Sequence, residues 1–166
     1  MDDYSELDEA DRGILKLLQN NARLTNKDLA RQVGLAPSTT LIRTRRLERL
    51  GALRGYHAQV DPGALGLGLE ALISVRLGRH RERDVAAFQA YVLGLPEVFH
   101  LYHTSGANDF LIHVGVADSR RLRDFAMNAL TTRPEVEHLE TGLIFGHWHG
   151  SAREFPPGPM PQDEPV

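Results

Sequence analysis

The chain has 166 residues, of which 42% are hydrophobic, and a formal net charge of −3. That length holds one ordinary domain or two small ones, with enough apolar residues for real cores. There is no cysteine, which excludes disulfides and every cysteine-ligated zinc or iron–sulfur site. The acidic start MDDYSELDEADR is wrong for an export signal and no apolar run could span a bilayer, so a soluble, cytoplasmic protein is expected.

Leu7 to Asn21 reads as a first helix, with Asp8 as N-cap and Ile14, Leu15, Leu17 and Leu18 on its apolar face. Thr25 caps a second helix, Asn26 to Val33, and Gly34 supplies a left-handed turn. Pro37 suits the first turn of a third helix that runs to about Leu50, where Gly51 stops it. A short helix, a tight turn and a longer helix over Leu24 to Gly51 make a helix-turn-helix, whose second helix can lie in the DNA major groove. Leu53 to Val60 has strand character and would form a wing. Asp61-Pro62-Gly63 is a turn, and the glycine-rich run to Gly68 reads as a linker.

The second half alternates strand and helix. Leu69–Leu77, Val98–Thr104, Phe110–Val116 and Val136–Phe145 read as strands. Arg83–Leu93 is a helix with Val85, Ala87, Phe88 and Val92 as candidate buried positions, and Asp118 or Ser119 caps another running to about Leu130. The order βαββαβ predicts a ferredoxin-like unit: a four-stranded antiparallel sheet with two helices on one face. Apolar residues on the open face would need a partner, which predicts dimerisation there. Glu154 to Val166 holds five prolines and no apolar period, and a disordered tail is expected over 151–166. The expected class is therefore α+β. Its parts are a DNA-binding winged helix-turn-helix over 5–60, a linker over 61–68, and a ferredoxin-like dimerisation domain over 69–150.

Charge divides the chain in the same place. Between Arg12 and Ala58 there are ten Lys/Arg against two acids, Asp28 and Glu48, whereas residues 61–166 hold nine against fourteen. A basic segment joined to an acidic one fits a nucleic-acid module beside a module with another task. The ordinary alternative, a solvated basic helix face, loses ground because the arginines fall on the helix-turn-helix.

These residues resemble the leucine-responsive regulator/AsnC (Lrp/AsnC) family of prokaryotic transcription factors. The matching pieces are Leu7-Asp8, Asp11, Ile14-Leu15, Leu18-Gln19, Asp28-Leu29-Ala30, Gly34-Leu35, Arg43, Arg46-Leu47-Glu48, Gly51, Gly55-Tyr56, Asp61-Pro62 and Leu65-Gly66. In the second half Gly106-Ala107-Asn108-Asp109 matches the family's Gly-x-x-Asp signature. The resemblance covers roughly residues 5–150. It implies a homodimer that assembles further into tetramers or octamers, binds double-stranded DNA, and answers to a small effector, commonly an amino acid, with no other cofactor.

Ser38 and Thr39 lie where the third helix approaches base edges and phosphates, and Arg43, Arg45 and Arg46 follow along it. An arginine can fork onto a guanine edge or hold a phosphate. Lys27 and Arg31 are phosphate candidates on the preceding helix, and Arg54 and His57 could flank the groove from the wing. Arg49 is expected to pair with its neighbour Glu48. Ala36 stands where relatives place a capping serine, a loss of ~1 kcal/mol. Thr40 and Thr44 share a face with Leu47, where apolar residues are usual, and their hydroxyls can bond back one turn. Leu41 and Ile42 then turn to solvent or the groove, where one could contact a thymine methyl.

The turn Ser105–Asp109 is the candidate effector site. Gly106 allows positive φ, so N–H groups of Gly106, Ala107 and Asn108 can converge on a carboxylate while Asp109 holds an ammonium group. The alternative is a hairpin whose Asp satisfies turn amides. His103, Thr104 and Thr141 are expected on neighbouring strands lining the pocket, and Leu139 replaces a hydroxyl residue common in relatives. Metal binding is not expected: His100 and His103 would face opposite sides of a strand, and no acid or cysteine cluster joins His147 and His149. No catalytic residue is assigned. Two alternatives differ from the ligand-responsive regulator: an architectural DNA binder without effector, and an enzyme like the sirohaem decarboxylases of a divergent branch, which His100 and His103 keep open.

Overall fold

The computed structural model describes residues 7–78 and 81–148. The expected tail over 151–166 and His149 lie outside them. The chain forms two compact units, divided between Ala58 and Gln59.

The first unit is three helices, α1 (Glu9–Asn20), α2 (Asn26–Val33) and α3 (Pro37–Arg49). Local chemistry sets their ends. Asp8 accepts from the Asp11 N–H at the start of α1, and Thr25 accepts from the Asp28 N–H at the start of α2, each satisfying an amide with no partner inside its helix. Gly34, at φ 70°, ends α2 in the left-handed conformation that only glycine adopts without strain. Ala36 gives α3 no side-chain cap, and Pro37 takes its first turn. Ile14, Leu18, Leu29 and Leu47 form the core, with Leu24, Val33 and Leu53 packed around them.

The expected wing is not a strand. Residues 53–60 carry no strand pairing, because a strand needs a neighbour for its ladder bonds and this segment finds none among the described residues. Its backbone tie to the helices is Leu53 N–H to the Leu47 carbonyl, 3.1 Å.

The second unit has the predicted order: β1 (Leu69–Leu77), α4 (Glu82–Leu93), β2 (Val98–His103), β3 (Phe110–Val116), α5 (Ser119–Phe125) and β4 (Val136–Ile144). A single 3₁₀ turn, Pro62–Leu65, precedes β1 within the glycine-rich stretch. The sheet runs β2-β3-β1-β4, all neighbours antiparallel. Alternate residues of the two central strands, Ala71, Ile73, Val75 and Leu77 with Phe110, Ile112, Val114 and Val116, are buried against Phe88, Val92, Leu122, Phe125 and Leu130. Period-two burial on one face is what a half-covered sheet requires. Asp118 caps α5, and its continuation Ala126–Leu130 widens into a π turn, so the helix is not regular to Leu130. Of the four positions expected to be buried on α4, Phe88 and Val92 are, Val85 is half-buried, and Ala87 faces solvent. Among the described residues no helix is long and apolar enough to cross a membrane.

Candidate nucleic-acid interface and effector turn

The turn between α2 and α3 is fixed from both sides. Leu35 N–H donates to the Ala30 carbonyl, and the Asn26 side-chain amide donates to the Pro37 carbonyl at 2.8 Å. The Asn26 bond joins the first residue of α2 to the first of α3 and holds the two helices at a set angle.

The rotation of α3 about its axis follows from what it buries. Thr40 and Leu47 are fully enclosed. The Thr40 hydroxyl bonds the Ala36 carbonyl at 3.1 Å and the Thr44 hydroxyl bonds the Thr40 carbonyl at 2.9 Å. Threonines are thus tolerated on the core side by bonding back one turn, as their sequence position implied.

The arginines divide into two groups. Arg43 turns toward α1, where Nη1 lies 2.7 Å from Asp8 Oδ2 and 2.9 Å from Asp11 Oδ1. Arg46 Nη1 lies 3.0 Å from Asp11 Oδ2. Asp11 is 1% exposed, so two guanidinium groups share one buried carboxylate. These two candidate DNA contacts therefore brace the recognition helix against α1. Asp8, read from the sequence as an N-cap, and Asp11, read as part of the family pattern, are the missed partners. The sequence signal was present, as an i, i+3 pair of acids and an i, i+3 pair of arginines, but separations of 32 and 35 residues hid their union. The Asp11 N–H bond, with help from Arg43 and against slight burial, holds the Asp8 carboxyl below its ordinary value. The same two acids push the Arg43 guanidinium upward.

Ser38, Thr39, Leu41, Ile42, Arg45 and Arg49 are exposed. Among the described residues no ion pair holds Arg45, Arg49, Lys27 or Arg54, all of them exposed. Arg31 pairs with Asp28 at 2.7 Å across one turn of α2 and stays largely exposed. The expected Arg49–Glu48 pairing does not form: Glu48 instead accepts from the Tyr56 hydroxyl at 3.0 Å. Neighbours on a helix point about 100° apart, so i, i+1 side chains rarely meet. Burial, and then Glu48, raise the Tyr56 hydroxyl above its usual value. His57 lies on the exposed segment after Arg54.

In the second unit, Ser105–Asp109 links β2 to β3, with Gly106 at φ 131°. Thr104 N–H donates to the Asp109 carbonyl (2.8 Å), and the Thr104 hydroxyl donates to the Asn108 carbonyl (2.8 Å). Asp109 Oδ2 accepts from Leu77 N–H at 2.7 Å, and Asp109 N–H donates to the Val75 carbonyl. The carboxylate thus ties the turn to the end of β1, a strand the turn does not join. Ser105, Gly106 and Ala107 are exposed and Asn108 is half-buried.

The expectation that Thr141 neighbours His103 and Thr104 fails. His103 and Thr104 stand at β2, one edge of the sheet, and Thr141 on β4, the other edge. Thr141 opposes Ile73 and His103 opposes Phe110. Strands β3 and β1 intervene, roughly 14 Å at about 4.8 Å per strand. Leu139, opposite Val75, is half-buried against the helix-side core. His103 stacks on Phe110 with ring centroids 4.9 Å apart, on the helix side, while His100 opposes His113 on the open side. The two histidines do not converge on one ligand. On that open face the half-exposed Tyr102 and the half-buried Leu72, Phe99 and Leu111 surround His113, whose Nε2 lies 2.8 Å from Glu70 Oε2.

A helix-turn-helix with an exposed, cationic recognition face, followed by a separately folded αβ sandwich, defines a two-module DNA-binding regulator. A family model described as winged helix-turn-helix DNA-binding matches residues 7–54, and one described as the Lrp/AsnC ligand binding domain matches residues 70–148. The chain belongs to the Lrp/AsnC family of transcriptional regulators. It is 40% identical over 147 residues to the HTH-type transcriptional regulator AldR of Mycolicibacterium smegmatis, covering 89% of this chain and 86% of that protein. The AldR of Mycobacterium tuberculosis is 42% identical over 148 residues, 89% of this chain and 83% of its own length. The crystal structure of the latter superposes with a TM-score of 0.79 at 39% identity, covering 90% of this chain and 99% of that one. A transcriptional regulator of Neisseria meningitidis, solved as an L-Met complex, also gives 0.79, at 32% identity over 89% and 96%.

Proposed function

We propose that this regulator binds double-stranded DNA sequence-specifically as a homodimer or higher oligomer and changes its assembly or affinity when an amino acid binds the second unit. The observation that carries the DNA reading is the outer face of α3. Ser38, Thr39 and Arg45 point to solvent there while Arg43 and Arg46 hold the helix in place from behind. Hydroxyls and an exposed guanidinium at the front of such a helix suit base edges and phosphates, and Lys27, Arg31 and Arg54 extend the cationic surface. Twofold symmetry would place two such helices on a roughly palindromic operator, with half-sites one or more turns of about 10 bp apart.

Dimerisation through the open sheet face is supported by its apolar residues, which one chain leaves half-covered. An amino acid as effector is supported by the L-Met complex of the Neisseria regulator and by the Ser105–Asp109 turn. In this reading the N–H groups of Gly106, Ala107 and Asn108 meet the carboxylate, Asp109 meets the ammonium group, and His103 and Thr104 flank them. Thr141 reaches such a pocket only from another subunit. An effector of this kind acts through its difference in affinity between two assembly states. This reading needs no catalytic step, and His100 and His103 lie on opposite sides of β2.

Duplexes selected from the source genome by the purified protein test this. Anisotropy titrations should give tight binding to selected fragments, weak binding to scrambled ones, and affinity that falls steeply with salt. Thermal shifts across the L-amino acids should show one or a few that raise the melting temperature with concentration. Equal affinity for all duplexes would leave only architectural binding, and a spectral shift on adding sirohaem would favour the enzyme.

A further inference from the structure

Helix α3 departs from an ordinary amphipathic helix at two positions. It encloses Thr40 completely and leaves Ile42 66% exposed. An exposed isoleucine alone is unremarkable, since much of any protein surface is apolar. Here it stands at the centre of the line Ser38, Ile42, Arg45, Arg49, at i, i+4, i+7 and i+11, which run along one face of a helix. The chain carries a β-branched residue of modest helix propensity at a solvated position where neither packing nor propensity calls for one. Arg45 and Arg49 flank it on the same face of α3, and α2 carries the exposed cations Lys27 and Arg31. The partner this face fits is therefore a polyanion that also offers an apolar group at base depth.

In the major groove the one apolar group on a standard base edge is the C5-methyl of thymine. We propose that Ile42 determines specificity by packing against a thymine methyl in each half-site, while Arg45 supplies the adjacent polar or phosphate contact. Arg43 and Arg46 then act as positioning residues: bonded to Asp8 and Asp11, they brace α3 in the roll that Thr40 and Leu47 set and that presents Ile42. The proposal rests on the DNA-binding reading above and adds what the helix reads.

The test uses the full chain and one duplex selected from the source genome. Each thymine is replaced in turn by deoxyuridine, which removes the methyl and keeps the O4 acceptor and the pairing. Wild-type protein should lose about fourfold in affinity at one thymine per half-site, the worth of burying roughly one methyl group. Ile42→Ala should bind the unmodified duplex correspondingly less well and be indifferent to deoxyuridine at that same position. Position 42 is solvated and alanine is the better helix former, so melting temperature should hold. Specific binding with no thymine sensitive to the change, or an Ile42→Ala variant that keeps the full sensitivity, overturns the role of Ile42 and leaves the regulator reading standing. Failure of the wild type to prefer any duplex overturns both.

Discussion

Replacing Asp11 by alanine should destabilise the helical unit more than any other single charge removal in it. The carboxylate is 1% exposed and accepts from Arg43 at 2.9 Å and Arg46 at 3.0 Å. Hydrogen bonds to charged groups contribute about 1.5–3 kcal/mol each. Breaking a fully buried pair costs about 3–5 kcal/mol, because the remaining charge stays dry. Neither arginine is that dry: their side chains are 29% and 34% exposed, so water recovers part of the loss. Arg43 also keeps Asp8 at 2.7 Å. The expected cost is about 2–4 kcal/mol, a large share of the ~5–15 kcal/mol that holds a typical domain. Urea unfolding followed by circular dichroism measures it, with the slope against denaturant checked for two-state behaviour. Asp8→Ala is the control: its side chain is 51% exposed, and it should lose little beyond the helix cap, about 1 kcal/mol. If Asp11→Ala shifts stability by under about 0.5 kcal/mol, in the range of ordinary surface changes, the two arginines are not anchored there. The division of the cationic residues into braces and readers would then fall.

Acid should act through the same corner. Because the Asp11 N–H, helped by Arg43, holds Asp8 below 3.8, its stabilisation is complete above that value and disappears as pH falls through the folded one. Melting temperature should thus drop less steeply below about pH 4 in Asp8→Asn than in the wild type, and parallel curves would refute this. Gly34→Ala places a Cβ at φ 70° in the turn between the helices. Nothing lies within 4 Å of that Cβ, so the loss of about 1–2 kcal/mol read from thermal unfolding is backbone strain alone. In the second unit Asp109→Asn keeps an oxygen for the Leu77 N–H but removes the charge. It should still fold and should lose the amino-acid-dependent shift in melting temperature, whereas a retained shift would remove Asp109 from the effector site.

What could be read directly from the sequence was what is decided within one turn or one strand. Asp8, Thr25 and Gly34 mark helix ends because a cap involves three or four consecutive residues, and each lies where it was expected. The apolar runs Leu69–Leu77 and Phe110–Val116, rich in Leu, Ile and Val, gave the two central strands because a strand in the middle of a sheet is mostly buried. The errors share a cause. Whether 53–60 becomes a strand depends on a neighbour that the segment itself does not encode. Thr141 was placed beside His103, yet the βαββαβ topology already separates β2 from β4: each crossover leaves a gap that another strand fills, giving β2-β3-β1-β4.

The arginines of α3 show why composition of a recognition helix is a poor guide to what it recognises. Arg43, Arg45 and Arg46 look like three DNA contacts until the helix is rolled into place. Thr40 and Leu47 set that roll, because both must be enclosed. With it fixed, positions 43 and 46 point back toward α1, and positions 38, 42, 45 and 49 point away. In the proposed complex the charge that reaches a duplex is therefore smaller than the charge the helix carries. The salt dependence of binding should reflect this: each neutralised phosphate contributes a slope near −0.9. Substituting Arg45 should flatten the plot of log affinity against log salt by about one contact per half-site. Substituting Arg43 should lower affinity chiefly by loosening α3, with the slope retained.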